Sequence, residues 1–396
     1  MTLSRFNIAT KESIIPQSSP DIALFLRGLY EGGAERVMLN LARGFIKQGL
    51  KVDLILARAK GVYMQQVPSG IRVINLEAEW MPSSLPKLIQ YLQKEHPKNL
   101  LAALHYPCEI ALWAKRLSGV STRIIVSEHN TLSQEAQRIA QTSVRLTPLA
   151  ARLFYPWADG IVAVSQGVAK DLANITGIPR ERIQVIYNPI VDSQLFAQAK
   201  EPVQHPWFQP SEIPVILGVG RLYPQKDYPT LIRAFAQVRK VRPVRLVILG
   251  CGPEQARLEA LIDELGLKEE VALLDFVQNP YAYMARAAVL VLSSGWEGFG
   301  NVLVEAMAVG TPVVSTNCES GPSEILADGK YGLLTPVGDQ IAIAEAINSV
   351  LSGNTKRVES SWLQQFSLEH SVEKYLKLLN IPVKIENRNK LDNCLN

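Results

Sequence analysis

The sequence predicts an α/β protein made of two successive doubly wound domains. Its 396 residues exceed what one hydrophobic core usually organises, so two domains of about 150–200 residues are expected. Short apolar runs alternate with stretches of helical periodicity from end to end, which is typical of βαβ units and parallel sheets. A proline-rich, weakly patterned stretch at residues 197–213 interrupts this alternation and predicts a linker.

The first predicted domain spans residues 21–196. It opens with the apolar run IALFLR at 22–27, and apolar residues at helical spacing follow over 34–49. Further predicted strands are KVDLILA, NLLAAL, TRIIVS, GIVAVS and RIQVIYNPI. Residues 1–20 are polar and lack the continuous apolar core of a signal peptide, so we expect a flexible lead-in there.

The second predicted domain spans residues 214–366. Its predicted strands are VILGVG, VRLVILG, VALLDF, AAVLVLSS and TPVVST, with helical patterns between them. Apolar residues at helical spacing over 367–380 predict one more helix, and residues 381–396 form a polar tail. In sheets of this kind ligands bind beyond the carboxyl ends of the strands, so the loops after the strands are the candidate site.

The charge is unevenly distributed along the chain. Residues 21–196 contain 20 Lys/Arg against 14 Asp/Glu, a net +6, whereas residues 211–360 contain 13 against 17, a net −4. The first half is therefore expected to meet an anionic surface or substrate, with a chance excess of solvated lysines as the alternative. Four scattered cysteines, without metal-ligand spacing, favour reduced thiols in a cytoplasmic protein, and no nucleic-acid partner is expected.

Two glycine-containing loops are candidates for binding phosphate. Gly32 and Gly33 precede the first helix, where backbone N–H groups could approach an anion or where glycine could simply be needed sterically. In GVGRLYPQKD, the third glycine of a dinucleotide fingerprint is replaced by Tyr223, which argues against nicotinamide binding. This loop instead offers Arg221 and Lys226, which suit a diphosphate unless both are merely solvated surface charges.

The remaining loops of the second half offer a place where a nucleotide base could lie, and two carboxylates. Phe276 and Val277 follow a predicted strand, where a planar base could lie. Glu297 lies in a glycine-rich turn, and Glu305 lies on the helix that begins at Asn301. Such a pair can indicate acid–base hydrolysis, metal binding, hydroxyl recognition or no function. Because buried carboxylates need hydrogen-bond donors, sugar hydroxyls are natural ligands for them.

The order and spacing of these motifs closely resemble glycosyltransferase family 4. The resemblance rests on GGAERV near the amino end and VIYNPI at the end of the first half, and on GVGRLYPQKD, GWEGFGNVLVEAMAVGTPVVST and GPSEIL in the second. The Glu297-x7-Glu305 spacing corresponds to the family's E-x7-E signature, and the likeness covers roughly residues 21–380. It implies the GT-B fold, in which two Rossmann-like domains face each other across a cleft and a C-terminal helix crosses back to the first domain.

The resemblance also implies roles for individual residues. Arg221 and Lys226 would hold the donor diphosphate, Glu305 the ribose and Glu297 the sugar. Backbone groups of the following residues would approach the sugar and phosphates: Phe299, Gly300 and Asn301. Gly32 and Gly33 would cap the phosphate from the first domain. His129, in VSEHN, matches more loosely a cleft histidine near the anomeric carbon, with a structural hydrogen bond as the alternative.

The implied reaction is a retaining sugar transfer from a nucleotide-diphosphate sugar, UDP-linked by expectation, without cofactor or metal. No Asp-x-Asp pair follows a predicted strand, so cations and helix amino ends would neutralise the diphosphate. The alternatives are a nucleotide-sugar epimerase of the GT-B type and a non-catalytic nucleotide- or carbohydrate-binding module. The motifs resemble those of bacterial enzymes that build lipopolysaccharide, exopolysaccharide and lipid-linked glycans, which implies a glycan or lipid-linked acceptor.

Residues 135–159 suggest a contact with the membrane. They are interpreted as one long helical segment in which Arg138, Arg145 and Arg152 recur every seven residues along one face, with aromatic residues after them. Pro148 is expected to kink this helix. A basic stripe that ends in aromatic residues suits an anionic membrane, although it could also be a solvated face beside packed rings. The protein would then be peripheral to the inner face of the cytoplasmic membrane.

Overall fold

The computed structural model describes residues 19–209 and 213–383. Most of the predicted lead-in, residues 1–18, and most of the predicted tail, from 384 onward, lie outside the described residues, as does the 210–212 part of the linker. No described helix is long and apolar enough to cross a membrane.

The first domain is built on a parallel seven-stranded sheet with strand order β3-β2-β1-β4-β5-β6-β7. Its strands are β1 Ile22–Leu26, β2 Val52–Leu56, β3 Arg72–Asn75, β4 Asn99–Ala103, β5 Arg123–Glu128, β6 Gly160–Ala163 and β7 Ile183–Val185. Its helices are α1 Gly33–Lys47, α2 Leu85–Glu95, α3 His105–Ser118, α4 Leu132–Arg138, α5 Thr142–Arg145, α6 Thr147–Phe154, α7 Gln166–Thr176 and α8 Ser193–Ala199. Helices cover both faces of the sheet, so the central strands are buried throughout.

The second domain is built on a parallel six-stranded sheet with strand order β10-β9-β8-β11-β12-β13. Its strands are β8 Val215–Val219, β9 Arg245–Leu249, β10 Val271–Leu274, β11 Val289–Leu292, β12 Val313–Thr316 and β13 Leu333–Thr335. The helices from here to the end are α9 Tyr228–Val241, α10 Gln255–Glu264, α11 Tyr281–Met284, α12 Asn301–Ala308, α13 Pro322–Ile325, α14 Gln340–Leu351, α15 Ser360–Leu363 and α16 Leu368–Leu378.

Short 3-10 helices connect several of these elements, at Val62–Gln66, Met81–Ser84, Tyr155–Trp157, Arg180–Arg182, Pro206–Phe208, Pro224–Lys226 and Gln364–Phe366. Both sheets reverse their strand order beside their first strand, at the β1/β4 and β8/β11 neighbours. Such switch points are where doubly wound sheets bind ligands. The predicted fold of two doubly wound domains is confirmed.

The last helix, α16, packs against the first domain. Tyr375 meets Phe45 of α1 edge to face, with ring centroids 6.4 Å apart. Gly44 provides the close approach, because a β-carbon there would lie only 2.3 Å from Cγ2 of Val372. Arg123 also donates to the carbonyl of Leu378 at 3.2 Å. The chain therefore returns to its first domain, as a GT-B protein does.

The connection between the domains is more ordered than its proline content suggests. Helix α8 ends at Ala199, inside the stretch predicted as a linker. The carbonyl of Gln198 accepts a hydrogen bond of 2.9 Å from Nδ2 of Asn279 in the second domain. The backbone N–H groups of Ile190 and Val191 both donate to the carbonyl of Phe366. These contacts hold the two domains together.

The interpretation of residues 135–159 as one long helix is wrong. Three short helices, α4, α5 and α6, occupy this stretch, and extended backbone at Ile139 and Gln141 separates α4 from α5. Pro148 lies in the first turn of α6, where a missing N–H costs nothing, so it does not kink a helix. Arg138 does not form a stripe with Arg145 and Arg152, since its guanidinium lies 5.1 Å over the ring of Trp296 in the second domain.

Candidate active site

Hydrogen bonds join the two domains at the carboxyl ends of their strands. The amide of Asn188 donates to Oδ1 of Asn301 at 2.8 Å, and the hydroxyl of Ser165 donates to the carbonyl of Gly298 at 2.7 Å. The hydroxyl of Thr131 donates to the carbonyl of Glu297 at 2.9 Å. The loop that carries Glu297 is thus held directly against the first domain, and the cleft is formed by loops of both sheets.

Glu297 and Lys226 form a buried ion pair within the second domain. Lys226 ends the 3-10 helix after β8, and its Nζ lies 2.5 Å from Oε1 of Glu297. The hydroxyl of Ser294 donates to the same carboxylate oxygen at 2.6 Å. Both predicted charges therefore occupy one site, and protein donors already satisfy part of the Glu297 carboxylate. The two carboxylates of the sequence motif have different cationic partners, since Arg36 pairs with Glu305.

Arg221 lies apart from that ion pair, on the exposed side of the same loop. Its guanidinium lies 5.1 Å over the ring of Tyr223. Its charge reaches two acids of the first domain across the cleft. Burial raises the pKa of Glu135 to about 7, and burial also raises the pKa of Glu35, while Arg221 acts in the opposite direction on both. Arg221 is therefore a cation at the mouth of the cleft.

Glu305 is buried on the second turn of α12, and its partner comes from the first domain. Nη1 of Arg36 lies 3.4 Å from Oε1 of Glu305. Burial raises the pKa of this carboxyl, and the Arg36 charge acts against that rise. Arg36 also donates to the hydroxyls of Tyr281 and Tyr63, at 3.1 and 3.0 Å. The sequence motifs do not indicate Arg36, Tyr63 or Tyr281 as partners in this cluster, although Arg36 is part of the GGAERV motif.

A cavity of about 120 Å³ lies between the domains beside these groups. Its lining includes seven of the residues predicted to bind the donor: Gly32, Gly33, Arg221, Phe276, Val277, Asn301 and Glu305. Other predicted residues are not part of that lining: Lys226, Glu297, His129, Phe299 and Gly300. The cavity is smaller than the roughly 300–1,000 Å³ of small-molecule sites.

The glycine loop of the first domain faces the amino end of α12. A β-carbon on Gly33 would lie 3.0 Å from Nδ2 of Asn301, so the two segments nearly touch. Gly300 precedes α12 with a φ of +100°, a conformation that favours glycine. Phe299 is 3% exposed and stacks on Tyr187, with ring centroids 5.5 Å apart. The Phe299 side chain therefore belongs to the core, which leaves its backbone as the part available to a ligand.

His129 lies on the loop after β5, which packs against the loop that carries Glu297. Its Nε2 is 3.1 Å from the Ser127 hydroxyl, and burial lowers the pKa of His129 to about 4, so the ring is neutral near pH 7. A β-carbon on Gly298 would lie 1.8 Å from the carbonyl oxygen of His129. The structural hydrogen bond is therefore present, and the loop of His129 contacts the loop that carries Glu297.

A buried carboxyl fixes the loop that carries His129. Oε1 of Glu128 accepts from the backbone N–H groups of His129 and Asn130, at 3.0 and 3.2 Å. The hydroxyl of Tyr155 donates to Oε2 at 2.8 Å, and burial raises the pKa of Glu128 to about 8. Nothing in the sequence pattern around VSEHN indicates this role for Glu128. Within residues 19–209 and 213–383, His, Cys, Asp and Glu side chains nowhere gather in threes as a metal ligand set would.

Two facing Rossmann-like domains with a returning C-terminal helix define the GT-B class. Family models match both halves of the chain. The model described as Glycosyltransferase Family 4 matches residues 31–194, and the model described as Glycosyl transferases group 1 matches residues 200–361.

Whole-length relatives point to the same family. Over 348 residues the chain is 33% identical to the N-acetylgalactosamine-N,N'-diacetylbacillosaminyl-diphospho-undecaprenol 4-alpha-N-acetylgalactosaminyltransferase of Campylobacter jejuni, a match that covers 85% of this chain and 91% of the relative. Lipopolysaccharide core biosynthesis glycosyltransferase LpsE of Rhizobium meliloti is 28% identical over 355 residues, which cover 88% of this chain and 96% of the relative. The chain belongs to glycosyltransferase family 4 and is an enzyme of the hexosyltransferase type.

Solved structures confirm the GT-B fold. Anabaena Alr3699/HepE, solved in complex with UDP-glucose, superposes with a TM-score of 0.75 at 22% identity, and the match covers 90% of this chain and 99% of that chain. The lipopolysaccharide outer core galactosyltransferase WaaB superposes with a TM-score of 0.67 at 22% identity, covering 91% and 99%. At this identity the likeness concerns the fold.

Proposed function

We propose that the enzyme transfers a sugar from a UDP-sugar to a lipid-linked glycan, with retention of anomeric configuration and without a metal. The observation that carries the proposal is that two sets of charged groups lie beyond the strand ends of the second domain: the Lys226–Glu297 ion pair, and Arg221 with Glu305, which line one cavity with Gly32 and Gly33. The names of the relatives support the substrate classes, since the Campylobacter enzyme acts on a diphospho-undecaprenol-linked sugar and the Anabaena protein was solved with UDP-glucose.

In this proposal the donor spans the cleft floor from Glu305 to Glu297. The ribose hydroxyls donate to Glu305, and the base lies by Phe276 and Val277. The diphosphate lies between Arg221 and Lys226, below the backbone of Gly32 and Gly33. Two cations and the amino end of α12 would stabilise the charge that develops on the departing UDP. This is why we propose that no metal is needed.

Retention follows in this proposal from substitution on one face of the anomeric carbon, and Glu297 has a positioning role. Its carboxylate accepts hydrogen bonds from Lys226 and Ser294, so it is committed to the donor side of the cleft. We propose that it orients the sugar and Lys226. As the bond between the anomeric carbon and the phosphate oxygen breaks, the acceptor oxygen bonds to the same face of that carbon. The acceptor proton passes to the departing phosphate. Neutral His129 would contact the sugar near the anomeric carbon.

We propose that the acceptor-binding side of the enzyme contacts the cytoplasmic face of an anionic membrane. The contact is not made by the arginine stripe predicted from the sequence. Helix α6 and the residue before it expose Leu146, Leu149 and Leu153, each 54% accessible, and this spacing places them on one face. Arg145 and Arg152 lie in the same segment. Exposed leucines beside arginines suit insertion at the boundary of anionic headgroups.

Liposome flotation tests the membrane part. Leu149→Glu with Leu153→Glu should abolish flotation with vesicles that contain phosphatidylglycerol, and Leu265→Glu, at a leucine 37% exposed in the second domain, is the control. Binding that survives the paired substitution would overturn this part of the proposal.

A donor panel tests the reaction. The purified enzyme is incubated in EDTA with UDP-, GDP- and ADP-sugars and with a glycan on undecaprenyl diphosphate. We expect UDP release that depends on the acceptor, and a product whose anomeric configuration, measured by proton NMR, equals that of the donor. UDP release without a glycoside would indicate an epimerase, and absence of turnover with every donor would indicate a binding module. An inverted product, or activity only with added metal, would contradict the corresponding part.

A further inference from the structure

Arg36 is a partly buried cation that has partners in both domains. Its Cζ lies 5.2 Å from the ring centroid of Tyr63 and 5.4 Å from that of Tyr281. Nη2 donates to the Tyr63 hydroxyl, and Nη1 donates to the Tyr281 hydroxyl. Glu305 is the anion of this cluster, 3.4 Å from Nη1. Arg36 and Tyr63 belong to the first domain, whereas Tyr281 and Glu305 belong to the second.

We propose that Arg36 is a positioning residue for donor binding, which supplies from the first domain the counter-charge that keeps Glu305 a carboxylate able to accept the ribose hydroxyls. This inference rests on the proposed function, because it assigns a ribose to Glu305. It adds that the ribose grip is complete only when the two domains are closed, since the acid and its cation lie on opposite sides of the cleft.

The buried environment of Glu305 explains why the cation is needed. Burial raises the pKa of Glu305, and Arg36 acts against that rise. The other groups that face this cluster do not help ionisation. They are the hydroxyls of Tyr63 and Tyr281, with the acids Glu35 and Asp192 acting electrostatically on those tyrosines. A protonated Glu305 would have fewer acceptor positions and would bind two hydroxyls poorly.

The geometry is compatible with simultaneous binding of Arg36 and ribose. An ionised carboxylate has about four acceptor positions, and Arg36 approaches one oxygen of Glu305 only. Two tyrosine hydroxyls already accept from the guanidinium, so the arrival of a ribose need not displace it. The same three side chains, Arg36, Tyr63 and Glu305, line the cavity between the domains.

Calorimetric titration with UDP tests the proposal. At pH 7, Arg36→Met should weaken UDP binding by roughly tenfold to hundredfold, the scale of one charge-assisted hydrogen bond. Arg36→Lys should restore part of that loss. Arg245→Met is the matched control, because Arg245 lies 5.1 Å over the ring of Trp207 without belonging to the cleft. It should leave UDP affinity unchanged.

The pH profile separates this role from loss of packing. Without Arg36, burial raises the pKa of Glu305 with no cation to oppose the rise, so UDP affinity of Arg36→Met should recover as pH rises, by at most about tenfold per unit for one proton. Because UDP itself titrates, Arg36→Met combined with Glu305→Gln supplies the baseline, and it should lack the extra recovery. If Arg36→Met does not fold, Tyr281→Phe replaces it, and must weaken UDP binding several-fold.

The results distinguish failure of the inference about Arg36 from failure of the proposed function. UDP affinity unchanged in a folded Arg36→Met protein, or a loss that does not recover with pH, would overturn this inference and leave the proposed function intact. A wild-type enzyme that binds none of UDP, GDP and ADP would overturn the proposed function and this inference with it.

Discussion

Nζ of Lys226 lies 2.5 Å from Oε1 of Glu297, and the two side chains are only 15% and 8% exposed. A buried pair of this kind is costly to disrupt, because removal of one partner leaves an uncompensated charge that destabilises the site by about 3–5 kcal/mol. The pair also joins the loop after β8 to the loop after β11 at the floor of the cleft. Both structure and transfer should therefore depend on it.

Lys226→Met should reduce kcat by at least about a hundredfold, because it removes a charged contact to the transition state. Glu297→Gln should have a loss of similar size, since it removes the anchor of Lys226 as well as the contact to the sugar. Steady-state transfer assays measure both. Lys330→Met is the control, because Lys330 pairs with Glu359 at 3.0 Å on the surface, where both side chains are 58% exposed. Wild-type rates in both active-site variants would place the site elsewhere.

Gly298→Ala should disrupt the contact between the domains. A β-carbon at this position would lie 1.8 Å from the backbone oxygen of His129, which cannot move as a flexible side chain can. Overpacking of this kind costs about 1–3 kcal/mol, so we expect a lower Tm together with loss of transfer. Gly295→Ala is the matched control in the same loop, where the nearest atom is 3.5 Å away. Equal Tm and activity in the two variants would contradict the packing of these loops.

Buried His105 should make the fold less stable in acid. Both of its ring nitrogens lack a hydrogen-bond partner among the described residues, and burial lowers its pKa to about 4. Between pH 6.5, about the pKa of histidine in the unfolded chain, and pH 4, His105 binds a proton in the unfolded chain but not in the folded chain. His105 therefore costs stability progressively as pH falls through that window, up to about 3 kcal/mol at its lower end.

His105→Phe, which keeps a ring beside Tyr106, should lose less stability in acid than the wild type does. Urea unfolding at pH 7.5 and pH 4.5 measures the difference, with the value at pH 7.5 as the reference for each protein. The two proteins should differ in their pH dependence by about 2–3 kcal/mol over this range. Parallel loss of stability in both would mean that His105 is protonated in the folded protein.

The fold could be predicted because its signals are local. Strands buried on both faces, such as β1 and β4, must be continuous apolar runs, and the helices between them need one apolar face. The prediction of one helix over residues 135–159 was wrong because local signals do not determine this segment. Its composition is compatible with one helix, but the backbone is extended at Ile139 and Gln141, and Arg138 contacts Trp296 of the second domain, which no local pattern indicates.

The site was predictable only in part. Glycine loops and charged residues at strand ends identified Arg221, Lys226, Glu297 and Glu305 as candidates, because such positions gather at one edge of a parallel sheet. The partner of Glu305 could not be found this way, since Arg36 lies 269 positions earlier and on the other domain. No local pattern encodes a contact that forms only when two separately folded units face each other.

The most direct test of the central claim is calorimetric titration of UDP into the wild-type enzyme, Arg221→Met and Lys226→Met, all in EDTA. The cleft is proposed to neutralise the donor diphosphate with these two side chains. Wild type should bind UDP without a metal, and each variant should bind at least about tenfold more weakly, as expected for the loss of a charged hydrogen bond. Binding only after Mg²⁺ is added, or wild-type affinity in both variants, would contradict the account.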